Sequence, residues 1–296
     1  MTMNQQTNFP ATPETSPLVT FWNEVLAPKF TMYRHILVDG LSRHSAAILP
    51  TLQIAPGDRI LDVGCGFGDT AIALGNRVGS TGSVMGVDCC EAFITQAWDH
   101  AEKNWAENVR FAVGDVERGV DGAPYDFVFA RFGTMFFANP VAGLRAMRVA
   151  LKPGGKMAHI VWRDRKYNPW LNAAKDIVQQ FLPKPGEDAL TCGPGPFSMS
   201  DERNTRAKME AAGFTDIRFK RIDAKVMVGR NVQEAIAFQL ALGPAGETFR
   251  EAGDLGEEKR EEIEAALAEM FSHAETTADG LWMDSSSWLI TARNPA

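Results

Sequence analysis

Arg59-Ile60-Leu61-Asp62-Val63-Gly64-Cys65-Gly66-Phe67-Gly68-Asp69-Thr70 is the stretch on which the fold turns. Its apolar start reads as a buried strand. Three glycines at alternate positions follow, and Thr70-Ala71-Ile72-Ala73-Leu74 then opens a helical pattern. Glycine has no Cβ, so such a turn lets backbone lie against a ligand at little steric cost. The spacing is G-x-G-x-G, whereas the dinucleotide fingerprint is G-x-G-x-x-G with a pyrophosphate on the helix N-terminus. Here that N-terminus carries Asp69, and Asp62 ends the strand. Two carboxylates would repel a pyrophosphate and suit a cation. An NAD-dependent oxidoreductase is disfavoured on both counts.

Outward from this turn, strands and helices alternate. The strand candidates are 59–63, 83–87, 109–113, 125–130 and 156–162, with helical patterns at 69–77, 91–104 and 140–151 between them. That alternation means a parallel sheet covered on both faces. Lys152-Pro153-Gly154-Gly155 reads as a turn. Before the core, residues 18–52 are helical in pattern, broken at Pro28, Gly40 and Pro50. Beyond Trp162 the alternation loosens into a proline- and glycine-rich stretch, 163–200, with a helix at 170–181. A helix over 201–212, a strand over 216–228 and a helical segment from Val232 to about Ala274 come next. Its apolar stripe, Ile263, Leu267 and Phe271 among others, must be buried. Residues 286–292 form a last strand. The first 17 residues read as a disordered arm.

Composition narrows the function. The 296 residues carry a formal net charge of −7, which gives no support to nucleic-acid binding. Four cysteines, Cys65, Cys89, Cys90 and Cys192, form no C-x-x-C and no zinc-spaced cluster, so no metal site is expected. Together with the lack of an apolar leader or a spanning segment, they imply a cytoplasmic protein without a membrane span.

Four stretches in order complete the pattern: Leu61 to Gly68, Gly86-Val87-Asp88, Val113-Gly114-Asp115-Val116, and Leu151 to Gly155. Together they resemble the class I S-adenosylmethionine-dependent methyltransferases, closest to the group related to the ubiquinone/menaquinone-biosynthesis methyltransferases. The likeness covers roughly Trp22 to Trp162. It implies an α/β, Rossmann-like, doubly wound, mostly parallel seven-stranded sheet. It also implies one methyltransferase domain, 18–296, divided into an N-terminal helical lid (18–52), a cofactor-binding core (53–162) and cap insertions at 163–200 and 229–280 that hold substrate.

The cofactor implied is S-adenosylmethionine, whose sulfonium and ammonium suit the two carboxylates. By the same resemblance Gly64, Cys65, Gly66 and Gly68 cradle its methionine half and ribose, and Asp62 faces the ammonium. Asp88, with Cys89 beside it, accepts from the ribose hydroxyls, or else merely caps the next helix. Asp115 accepts from the adenine amine while Val116 offers its N–H to the ring. Arg131 lies where the family opens the acceptor pocket, and Trp22, with Phe30, would cover the donor. Phe132, Phe136 and Phe137 could line the pocket or the core. His35 and His44 could reach the acceptor as a base, or simply pack. No catalytic residue is assigned.

The function implied is methyl transfer to a small, partly apolar metabolite by a monomer or homodimer. An RNA- or protein-directed enzyme and a non-catalytic S-adenosylmethionine-binding protein are the alternatives. Whether oxygen, nitrogen or carbon receives the methyl group does not follow from the residues.

Overall fold

The computed structural model describes residues 16–186, 189 and 192–296. The disordered arm expected over residues 1–17 therefore lies outside the described residues except for Ser16 and Pro17. These two begin the first helix, with Ser16 Oγ accepting from Val19 N. Four short helices precede the sheet: α1 (Pro17–Phe21), α2 (Ala27–Met32), α3 (Arg34–Gly40) and α4 (Ser42–Ile48). Between α1 and α2 the chain makes one π-helical stretch, Trp22–Leu26, so Pro28 falls in the first turn of α2, where its missing N–H costs nothing.

The core alternates as its sequence pattern predicts. In order it runs β1 (Arg59–Val63), α5 (Asp69–Val78), β2 (Ser83–Asp88), α6 (Glu91–Lys103), β3 (Val109–Val113), β4 (Tyr125–Arg131), α7 (Pro140–Val149) and β5 (Leu151–Trp162). Then follow α8 (Pro169–Phe181), α9 (Glu202–Ala211) and β6 (Thr215–Gly229). The chain ends with α10 (Val232–Ala241), α11 (Gly243–Glu251), α12 (Asp254–Glu258), α13 (Arg260–Ser272), β7 (Glu275–Thr277) and β8 (Gly280–Arg293).

The strand order is β3-β2-β1-β4-β5-β8-β6, parallel from β3 to β5, with β8 antiparallel to both its neighbours. The sheet is therefore the mostly parallel α/β sheet expected, and its glycine turn lies at the carboxyl end of β1, where open α/β sheets bind ligands.

Among the described residues the strand count is eight rather than seven. The extra strand, β7, folds back on β8 through Ala278-Asp279, with Gly280 at φ +142°. Thr277 Oγ1 accepts from Asp279 N at 3.2 Å and from Trp282 Nε1 at 3.0 Å. Two further boundaries differ. Lys152 to Gly155, expected as a turn, opens β5, where Gly154 N donates to Asn294 O at 3.0 Å. The helical segment from Val232 is interrupted at Leu242, at Ala252-Gly253, where Gly253 has φ +53°, and at Lys259. The predicted stripe is buried: Ile263, Leu267 and Phe271 pack where α13 meets α8 and α10.

Candidate functional site

The turn after β1 is held from both sides. Gly64 N and Cys65 N donate to Val87 O at 2.8 and 3.2 Å, which fixes the turn to the end of β2. Asp88 completes the clamp: its Oδ2 accepts from Gly66 N at 2.9 Å and its Oδ1 from Cys90 N at 3.0 Å. Burial pushes the Asp88 carboxyl up, and the backbone donors at Cys90, Gly66 and Cys89 oppose that. Each carboxylate oxygen has a second lone pair, so both can still accept from a ligand. Gly66 sits at φ +53°, and a Cβ built there meets nothing within 4 Å, so a side chain would stand in open space.

That space is a cavity of about 210 Å³. Its floor is the glycine turn with Asp88, Cys89, Asp115 and Val116, and its cover is Leu18, Val19, Trp22, Phe30, Leu37 and Leu41 from the N-terminal helices. Trp22 packs on Phe30 and Phe136, with ring centroids 5.3 and 5.1 Å away. Asn23 ties this cover to the end of β2 through Cys89 O, 3.0 Å, and Glu91 N, 3.2 Å. Asp115 Oδ1 accepts from Glu117 N at 3.0 Å, and both oxygens of Glu117 accept from Ala138 N and Asn139 N.

Two carboxylates lie at the other end. Asp69 does not stand free: Arg131 Nη2 donates to its Oδ2 at 2.6 Å, while Arg131 Nη1 donates to Ser45 Oγ at 2.8 Å. Asp62 is wholly buried beneath the turn. Its Oδ2 accepts from Thr70 Oγ1 at 3.1 Å, and its Oδ1 has no hydrogen-bond partner among the described residues. Burial, helped by Asp69 and Asp88, raises its carboxyl to about 7 against the pull of Thr70 and Arg131.

Comparison with known proteins then decides the family. A methyltransferase-domain family model matches residues 54–181. The demethylmenaquinone methyltransferase of Staphylococcus carnosus is 26% identical over 181 residues, covering 58% of this chain and 74% of that protein. The chain carries the domain of a class I S-adenosylmethionine-dependent methyltransferase. Among solved structures, the YcgJ protein of Bacillus subtilis shares the methyltransferase's fold at TM-score 0.57 and 15% identity, over 86% of this chain and 99% of that one. Haemonchus contortus phosphoethanolamine N-methyltransferase 2, in complex with S-adenosyl-L-methionine, does so at TM-score 0.57 and 16% identity, over 95% and 61%.

The residues of the methyltransferase fit such a donor on two independent observations: the open space above Gly66 and the unpartnered Asp62 Oδ1. Of the expected site residues, Trp22, Gly64, Cys65, Gly66, Asp88, Cys89, Asp115, Val116 and Arg131 are brought together around one cavity. Gly68 is not among its walls. A Cβ there would lie 2.7 Å from Phe111 Cζ and 3.0 Å from Ala97 Cβ, so this glycine serves the packing of α5 and α6 against β3. Asp62 lies below the floor rather than in it.

His35 and His44 are not in the cavity either. His35 Nε2 pairs with Glu234 Oε1 at 3.0 Å. His44 is buried between Ser285 Oγ, 2.7 Å, and Ser287 Oγ, 3.0 Å, with burial and Arg131 lowering it to about 4. Among the described residues the cap segments contribute no wall. They brace the cover from behind, through Phe238 against Tyr33, 5.4 Å between centroids, and Arg250 over Phe21 at 5.0 Å.

Sequence reasoning offered Phe132 for the pocket, which it does line, and missed Gly133 and the left-handed backbone beside it. Phe132 takes φ +56°, stacked on Trp162 at 3.9 Å, and a Cβ on Gly64 would come within 3.2 Å of Gly133 Cα. The glycine after Arg131-Phe132 was the available signal. Nothing marks a phenylalanine for a left-handed backbone.

Proposed function

We propose that the methyltransferase transfers the methyl group of S-adenosylmethionine to a small, partly apolar metabolite. The observation that carries this reading is the continuity of the cavity, which joins the glycine turn to an apolar wall of Trp22, Phe30, Leu37, Leu41, Phe136 and Phe137.

In this reading Gly64, Cys65 and Gly66 cradle the methionine half and ribose, and Asp88 accepts from the ribose hydroxyls. Asp115 and Val116 meet the adenine, while Asp62 lies beneath the ammonium. The charges favour a cationic donor and oppose a nucleic-acid acceptor. Asp88, Asp115 and Glu117 line the cavity, and the one cation among the described residues of its lining, Arg131, is held by Asp69. A phosphate backbone is recognised by unspent basic groups. The S. carnosus relative is named for demethylmenaquinone, and an acceptor of that apolar character suits this wall. We propose the class rather than the quinone itself.

Methyl transfer is an in-line displacement at carbon, so the enzyme's task is alignment and exclusion of water. Good alignment reaches effective molarities of roughly 10⁵–10⁸ M. Neither histidine of the N-terminal helices reaches the cavity, so the acceptor atom must be nucleophilic without an imidazole base.

The test is incubation with methyl-labelled donor and a total metabolite extract, read by mass spectrometry. A single labelled low-mass product is expected. Label recovered only in RNA or protein would overturn the proposal.

A further inference from the structure

Cys89 and Cys90 follow Asp88 at the carboxyl end of β2. Their Sγ atoms and a carboxylate oxygen of Asp88 all lie within 4.8 Å of one another. Both thiols are free. Cys90 is fully buried, and Cys89 is half-buried in the wall of the donor cavity. Two thiols and a carboxylate this close together, with Asp88 and Cys89 lining a cavity that can admit a fourth ligand, match the requirements of a thiophilic dication. Zinc binds thiolate at about 2.3 Å and carboxylate at about 2.0–2.2 Å, in tetrahedral geometry. The ligand atoms need to close by only about 1 Å from their present spacing to satisfy it.

We propose that Asp88, Cys89 and Cys90 form a site for a thiophilic divalent cation of the Zn²⁺ class, occupied in competition with the methyl donor. The competition clause rests on the donor site proposed above; the metal site itself does not. Competition follows from Asp88, whose two oxygens hold Gly66 N and Cys90 N. A cation that takes this carboxylate removes it from the ribose and loosens the glycine turn.

Binding must displace protons. A hydrogen bond that the Cys90 thiol donates to the Cys89 sulfur, burial and the Asp88 charge push the Cys90 thiol up, so it is protonated at neutral pH. As each metal–sulfur bond forms, its thiol proton passes to solvent, two per cation, and affinity rises with pH.

The experiment titrates the reduced, full-length protein with Co²⁺, then displaces it with Zn²⁺. One equivalent of Co²⁺ should give thiolate-to-metal charge-transfer absorption, with two protons released into weakly buffered solution. Cys89→Ser and Cys90→Ser, checked for folding by circular dichroism, should each weaken binding by at least roughly tenfold. Saturating S-adenosylhomocysteine should raise the apparent dissociation constant for Co²⁺. No charge-transfer band on folded reduced protein, or a full band in Cys90→Ser, overturns the site. Metal affinity indifferent to bound S-adenosylhomocysteine overturns the competition. Should S-adenosylhomocysteine fail to bind metal-free protein while the band forms, the donor assignment falls and the metal site stands.

Discussion

Asp62→Asn tests the buried carboxylate beneath the glycine turn. Asn keeps the shape and removes the titration. Asp62 is raised from an ordinary 3.8 to about 7 by burial, with Asp69 and Asp88 adding to the rise and Thr70 and Arg131 opposing it. At 1.36 kcal/mol per pH unit, that difference amounts to on the order of 4 kcal/mol. Between about pH 4 and 7 the folded protein keeps a proton that the unfolded chain has released, so this carboxylate lowers stability as pH rises through that window. Below about pH 4 both states are protonated and the cost is absent. Above about pH 7 it is complete.

Urea unfolding of both proteins at about pH 5, 6, 7 and 8 measures it. The stability of the wild type relative to Asp62→Asn should fall by about 2–3 kcal/mol across the series and then level. A difference flat within about 1 kcal/mol would refute the reasoning, because burial would then not be penalising the charge. If the donor ammonium sits above Asp62, wild-type donor affinity should also climb through about pH 7, where the variant's stays constant.

Gly66→Val should abolish measurable donor binding in a folded protein, by calorimetry. Gly68→Ala should instead cost about 1–3 kcal/mol of stability, because its Cβ meets Phe111. Asp88→Ala should weaken S-adenosylhomocysteine binding roughly ten- to a hundredfold; unchanged affinity would leave Asp88 only its clamp on Gly66 and Cys90. Arg131→Met should destabilise the fold by about 3 kcal/mol by leaving Asp69 unpaired, and Asp69→Asn in the same chain should restore part of the loss.

The alternating core was legible because its strands hold short apolar runs, the first three closed by glycine or aspartate, and parallel strands buried on both faces leave that trace. The donor cavity was legible for the same reason, since Asp88 and Asp115 stand at the ends of their strands. What was not legible depends on distant partners. The three-residue β7 carries no periodicity of its own and exists through β8. Asp69 read as a free carboxylate because Arg131, its partner, is sixty-two residues away. The cap reads as a cover for the acceptor, yet Phe238 and Arg250 touch the N-terminal helices from outside, and only the three-dimensional arrangement says which layer lies nearer the cavity.

The π-helical stretch Trp22–Leu26 holds one residue more than the same turns of α-helix would need. Each residue of an α-helix advances the azimuth by about 100°. A relative lacking one residue between Trp22 and Leu26 would therefore present a different face of α1 inward, carrying Leu18 and Val19 away from the cavity they now line. A single-codon deletion at that point would act as a rotation. It would change which side chains meet the bound molecules while leaving every residue of the glycine turn in place.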